Sequence, residues 1–97
     1  MVVSLAREQI SKAELLDRID AGTPIQACLL FQLNLVDEDF TGAKFEDCVF
    51  EETDVSESEF VDASFINCDL SKADIKSAKF DNVGFENCRF FNSDSHK

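Results

Sequence analysis

The chain has no tryptophan, no tyrosine, one proline and three glycines in its 97 residues. So little glycine and proline argues against a turn-rich, conventional β-sandwich. The single histidine, His96, near the C-terminus leaves little for histidine-based catalysis. Bases are also scarce. Nine Lys and Arg face 20 Asp and Glu, for a net charge of −11. That sign disfavours direct contact with nucleic acid or an anionic membrane surface. No apolar run approaches the roughly 18 residues of a membrane-spanning helix, so none is expected. The stretch Met1 to Arg7 is too short, and charged too early, for a signal peptide. What is present is a 44% hydrophobic composition, enough for a core, with ten Phe as the entire aromatic content. The length suits one small domain.

A repeat organises these residues. Every fifth position from Leu30 is large and apolar: Leu30, Leu35, Phe40, Phe45, Phe50, Val55, Phe60, Phe65, Leu70, Ile75, Phe80, Phe85 and Phe90. Given the background composition, chance would produce this run with a probability on the order of 10⁻⁵ in a fixed frame. The frame two residues later, from Gln32 through Asp37, Gly42 and Asp47 to Asn92, contains no apolar residue. A period of five fits neither an α-helix nor a flat strand, so each pentad must be a short extended piece followed by a corner. Strand alternation puts the residue two before each large one on the same inward face. That column is mostly small: Cys28, Ala43, Cys48, Thr53, Ser58, Ala63, Cys68, Ala73 and so on.

The four cysteines count the corners. They stand at 28, 48, 68 and 88, and the surroundings recur as Phe45-Glu-Asp-Cys48-Val-Phe50, Phe65-Ile-Asn-Cys68-Asp-Leu70 and Phe85-Glu-Asn-Cys88-Arg-Phe90. Twenty residues make four pentads, hence four sides per turn. Equivalent residues then stack ~4.8 Å apart, so 28 to 93 forms roughly three coils in a rod roughly 16 Å tall. Ahead of the repeats, Ser11 and Glu14 form a capping-box pattern, with Ile10 and Leu15 placed for a hydrophobic staple. Gly22 suits the residue after a helix and Pro24 follows, which predicts a helix over about 12 to 21. Its apolar face, Leu15, Leu16 and Ile19, is expected over the first coil near Leu29, Phe31 and Leu33. Leu33 and Glu38 are too large or too charged for the small inner slot, so an irregular corner is expected near Asp37 to Asp39.

With Cys68-Asp69-Leu70-Ser71-Lys72 and Ala73-Asp74-Ile75-Lys76-Ser77, the stretch from Cys28 to Ser93 resembles the pentapeptide-repeat proteins, whose loose consensus is A-(D/N)-L-x-x. The resemblance implies an all-β solenoid, a right-handed quadrilateral parallel β-helix. The expected organisation is an N-terminal segment with its capping helix (1–24), the β-helix (25–93) and a polar tail (94–97).

Few residues suggest chemistry. The inward cysteine ladder neither converges for tetrahedral zinc nor brings Cβ atoms as close as the roughly 3.5–4.5 Å of a disulfide. The cysteines are read as core filler, and reduced thiols suit a cytoplasmic protein. Asp47, Asn67 and Asn87 are expected to stack as a corner ladder. Glu38 is the sole candidate for a buried acid. No phosphate loop, metal spacing, cofactor motif or catalytic triad is present, so no catalytic, metal or cofactor-binding residue is assigned and the chain reads as a non-enzyme. Charge is unevenly spread: Asp37 to Asp62 holds 11 acids and Lys44 alone as base, whereas Ala63 to Lys97 balances five acids with five bases. The candidate interaction surface for a basic protein partner therefore comprises Asp37, Glu38, Asp39, Glu46, Glu51, Glu52, Glu57 and Glu59. Val61 and Ile66 are its outward apolar anchors. Phe91 marks a C-terminal end without a cap, expected to pair end to end with a second copy, to continue in a longer native protein or to dock a partner.

The family resemblance implies a scaffold or interaction module. The segment from Leu5-Ala-Arg-Glu-Gln to Ala21-Gly22-Thr-Pro also resembles pentapeptide-repeat proteins associated with type VI secretion, which implies an adaptor beside spike or effector components. Other family members mimic duplex DNA and occupy DNA gyrase. The charge fits that alternative, but roughly 16 Å of rod matches only about 5 base pairs at ~3.4 Å each.

Overall fold

The computed structural model describes residues 8–90. Strands β1 (Glu8–Gln9), β3 (Cys28–Phe31), β5 (Val49–Asp54) and β7 (Asp69–Asp74) pair side by side in one parallel sheet. Strands β2 (Ile25–Gln26), β4 (Lys44–Glu46), β6 (Ser64–Ile66) and β8 (Gly84–Glu86) form the second. Register advances by one coil at each pairing: Leu29 with Val49, Phe45 with Phe65, Phe65 with Phe85. Single parallel bridges hold the other two sides, Asn34 to Asp54 and Asp39 to Glu59 to Lys79. The result is a four-sided parallel β-helix with three complete coils over 28 to 87.

The large inner residues behave as the pentad frame predicts. Leu30, Leu35, Phe40, Phe45, Phe50, Val55, Phe60, Phe65 and Leu70 are all buried. Because the coil period is 20, identical side chains fall into columns. Phe40, Phe60 and Phe80 stack with ring centroids 5.0 and 5.2 Å apart. Phe45, Phe65 and Phe85 do the same at 5.0 and 5.2 Å. Such offset stacks add about 0.5–1.5 kcal/mol per pair beyond the burial itself. A third column alternates Leu30, Phe50, Leu70 and Phe90, and the fourth, Leu35, Val55 and Ile75, is aliphatic.

The small inner column does more than leave room. The Ser58 hydroxyl accepts from the Glu38 N–H (2.9 Å) and donates to the Leu35 carbonyl (2.6 Å) of the coil above. Thr53 bridges Leu33 N–H and Leu30 C=O in the same way, at 3.4 and 2.8 Å. Each hydroxyl sits inside a corner of its neighbour and satisfies both polar groups there. Where alanine lies beneath, the corner closes on itself: Ala43 N–H reaches Phe40 C=O at 3.0 Å, above Ala63. Cysteines follow the hydroxyl pattern more weakly. Cys48, Cys68 and Cys88 donate to Ile25, Phe45 and Phe65 carbonyls at 3.3, 3.4 and 3.2 Å.

Corners fall where the polar frame puts them. Eleven non-glycine residues, among them Asp37, Asp47, Asp62, Asn67, Asn82 and Asn87, have positive φ, as does Gly42. Asn and Asp tolerate this left-handed conformation best among residues with a Cβ. The Asp or Asn that precedes a large inner residue has its own task. Asn34, Asp39, Asp54, Asp69 and Asp74 each accept, through Oδ1, the N–H of the residue two positions on. These Asx turns start the corner that follows. Among the described residues of the corner frame, Lys72 departs: its φ is not positive, and the β5–β7 register shifts where it pairs with Glu51. The corner expected to be irregular, Asp37 to Asp39, is instead regular. Asp37 takes φ 62° and Asp39 keeps its bridge to Glu59.

Helix α1 (Lys12–Asp20) has Ser11 as its N-cap, accepting from Glu14 N–H at 3.2 Å. Thr23 N–H bonds Arg18 C=O and Gly22 N–H bonds Ile19 C=O, with Gly22 at φ +79°, a Schellman end. Leu15 is fully buried, and Leu16, Ile19 and Leu33 pack against the same core. Leu29 and Phe31, expected beneath the helix, instead alternate outward along β3, while Cys28 and Leu30 face in. One strand was not anticipated: β1 joins the solenoid ahead of α1, pairing Glu8 with Cys28. The helix thus occupies the space of the missing sides of a coil, between Ile10 at the level of Leu30 and Ile25 in register with Phe45, and closes that end.

Candidate functional site

The acidic candidates do not form one face. Asp37 and Glu57 occupy successive left-handed positions of one corner. Asp39 and Glu59 are register partners on a side, with Lys79 next in line. Glu51 and Glu52 both belong to β5 of the first sheet, where Glu52 accepts from Gln32 Nε2 at 2.8 Å. Glu46 belongs to the second sheet and accepts from Gln26 Nε2 at 2.9 Å. Ile66 is half-buried between its register partners Glu46 and Glu86, and Val61 is half-buried near a corner. The corner ladder is present as Asn87 Nδ2 donating to Asn67 Oδ1 at 2.9 Å. Phe91 lies outside the described residues.

A concave feature does form where α1 meets the first coil. A groove of about 560 Å³ is lined by Leu16 and Ile19, by Asp17 and Asp20 of the helix, and by Glu38 and Asp39 of the coil. Glu38 is not the buried acid expected: its side chain is 28% exposed and pairs with Lys12 Nζ at 3.5 Å. It sits in the first coil, where the inner slot opens toward the helix rather than onto another coil. Asp39 accepts from Thr41 Oγ at 2.6 Å and Thr41 N–H at 3.0 Å, which holds its carboxyl below the usual carboxylate range. Asp17 and Asp20 were missed by sequence reasoning. Their i, i+3 spacing on a helix flanked by an acidic corner was the available signal.

The far end differs. Exposure of the large inner residues rises toward it: Ile75 and Phe80 are half-buried, and Phe85 and Phe90 are 40% and 39% exposed. Within the described residues no further coil lies beneath them.

All four cysteines are free. The neighbouring Cys68 thiol and burial push Cys48 well above the ordinary thiol range, and burial raises Cys28 and Cys88. Arg18 Nη1 donates to Cys28 Sγ at 3.8 Å without reversing that direction. Cys28, Cys48 and Cys88 are thus protonated packing groups, poor nucleophiles at neutral pH, whereas the hydrogen bond with Cys48 lowers Cys68. Among the described residues no group of three or more His, Cys, Asp or Glu converges to hold a metal ion. No helix among them is long and apolar enough to cross a membrane.

Five-residue sides, inward large and small columns, left-handed corners and 20-residue coils define a parallel, four-sided β-solenoid. Residues 38–97 match the family described as the pentapeptide repeat region. The chain belongs to the pentapeptide-repeat family. Among solved structures it is similar to the pentapeptide repeat protein Rfr23 from the cyanobacterium Cyanothece 51142, at 13% identity and TM-score 0.33, covering 77% of this chain and 58% of that one. No curated protein matches it significantly.

Proposed function

We propose that this chain is a non-enzymatic protein-interaction module with a closed N-terminal end and a docking surface at the last coil. Membership of the pentapeptide-repeat family supports the general role. The single observation that carries the surface is the asymmetry of the ends. Helix α1 covers one end, while Phe85 and Phe90 remain about two-fifths exposed at the other. Among the described residues β8 is the edge strand of its sheet, and such an edge can pair with an incoming chain. Charge permits a second copy there as well: residues 63 to 90 carry four acids and four bases, so two such ends meet without net repulsion.

The similarity of the N-terminal segment to type VI secretion-associated members supports an adaptor role beside spike or effector components. Four free thiols, none in a disulfide, suit a reducing, cytoplasmic setting. Mimicry of duplex DNA is less well supported. The charge is concentrated between 37 and 62 rather than spread evenly along the rod. A gyrase supercoiling assay with added protein should show no inhibition.

The direct test is a pull-down with the full chain, comparing wild type with the double variant Arg89→Glu, Phe90→Ser, whose folding is checked by circular dichroism. Partner recovery, or self-association in sedimentation, is expected to fall about tenfold. Equal recovery and equal mass would remove the last coil as the docking surface.

A further inference from the structure

We propose that the groove between α1 and the first coil docks an extended segment of a partner protein carrying Lys or Arg on either side of an apolar residue. This rests on the interaction-module reading and assigns it a second, separate surface. The groove has two unlike parts. Its floor is apolar: Leu16 and Ile19 pack one side against the core and line the groove with the other. Its rim is acidic: Asp17 and Asp20 on one bank face Glu38 and Asp39 on the other. The cation nearby, Lys12, already pairs with Glu38 at 3.5 Å.

The groove does not stop at the helix end. A second hollow of about 180 Å³ shares Ile19 and Thr41 with it and runs past Gly22 and Pro24 to Lys44. Carbonyls of the last helical turn add negative potential at that end, and cations are favoured there. The nine residues of α1 span ~13 Å. That length accommodates about four residues of extended chain at ~3.3 Å each.

The pairing of floor and rim selects the occupant. A polyanion would meet four carboxylates, and a purely apolar ligand would leave Asp17, Asp20 and Asp39 without a cationic partner. A purely cationic chain would gain long-range attraction but nothing from Leu16 and Ile19. A basic–apolar–basic segment satisfies both: alternation along an extended chain sends the apolar side chain to the floor and its flanking cations to the banks.

The test uses the full chain and a fluorescein-labelled peptide, Lys-Ile-Arg-Leu-Lys, followed by anisotropy near 0.15 M salt, where the screening length is about 8 Å. Two comparison peptides replace either the cations with Gln or the apolar residues with Ser. Each is expected to bind about tenfold more weakly than the parent. The double variant Asp17→Lys, Asp20→Lys changes only exposed helix positions and should weaken the parent peptide about tenfold or more. Glu51→Lys, Glu52→Lys makes the same charge change away from the groove and should weaken it less than about twofold. Equal losses in the two variants, or undiminished binding of the Ser peptide, would mean diffuse attraction and overturn the proposal. A change in the protein's own mass with Asp17→Lys, Asp20→Lys would make the occupant a second copy, and overturn it too. None of these substitutions touches the last coil, so failure here is separable from failure of end docking.

Discussion

Phe65 and Phe85 occupy the same column one coil apart, which makes truncating each an internal comparison. Phe65 is fully buried between Phe45 and Phe85, with centroids at 5.0 and 5.2 Å, and has Phe60 beside it at 5.4 Å. Phe85 has Phe65 above it, keeps Phe80 at 5.6 Å and Phe90 at 5.0 Å, and is 40% exposed. Removing a fully buried phenylalanine ring costs about 4 kcal/mol. Scaling by the area still buried, and removing one stacked neighbour, leaves about 2 kcal/mol for Phe85→Ala. The gap of about 2 kcal/mol is large against a total stability on the order of 5–15 kcal/mol. Urea unfolding measures it as a midpoint difference of about 1 M. The chain has no Trp or Tyr, so circular dichroism is the signal to follow. If Phe65→Ala does not fold, the Leu variants at both positions keep the ranking at lower cost. A gap under about 0.5 kcal/mol would refute the reasoning, because Phe85 would then be as enclosed as Phe65.

Other consequences concern corners and charge. Ser58→Ala should cost about 1 kcal/mol, because the Leu35–Glu38 corner can close on itself as Phe40–Ala43 does, whereas Ser58→Val blocks that closure and should cost about 3 kcal/mol in the same urea experiment. Gly42 has φ +76° with open space where a Cβ would sit, so Gly42→Val pays only the left-handed backbone term, about 1–2 kcal/mol, and Gly42→Asn much less. Burial alone would raise the Asp69 carboxyl, but Ser71, through its hydroxyl at 2.6 Å and amide at 2.9 Å, together with Arg89 and Lys72, leaves it lowered. A lowered folded-state value contributes stability above the unfolded pKa of about 3.9 and loses it as the pH falls through the folded one. The stability difference between wild type and Ser71→Ala should therefore close below about pH 4, as read from urea midpoints across an acid series.

The regular part of this fold is legible because two periods coincide in it. Five sets the sides and 20 sets the coils, and both are written in residues as distinct as Phe and Cys. The helix is equally readable, since Ser11, Glu14 and Gly22 are caps with specific backbone partners. Strand β1 is not, because a two-residue strand has no periodicity of its own. Ile10 and Ile25, which extend the apolar frame backward to either side of the helix, were its trace. Asp37 to Asp39 misled for a different reason. A charged residue in an inner slot looks like an irregularity, but in the first coil that slot opens toward the helix, and Lys12 meets Glu38 there without any change in the corner. The acidic groove was half visible: Glu38 and Asp39 were candidates, while Asp17 and Asp20 reach it only through the docking angle of α1, a tertiary fact.

The most direct test of a solenoid covered by α1 on one side and less enclosed at its last described coil is the alkylation rate of each cysteine in the native protein, resolved by mass spectrometry. The four thiols form one inward column and sample every coil. Cys48 and Cys68 are buried in the middle, Cys28 is buried beside Arg18, and Cys88 is half-exposed in the last turn. The account predicts that Cys88 reacts first, Cys28 later, and Cys48 and Cys68 last, the middle pair only as fast as the protein unfolds. Protection of Cys88 equal to that of Cys68 would contradict the exposure of the last described coil, and a fast-reacting Cys48 or Cys68 would contradict the inward column itself.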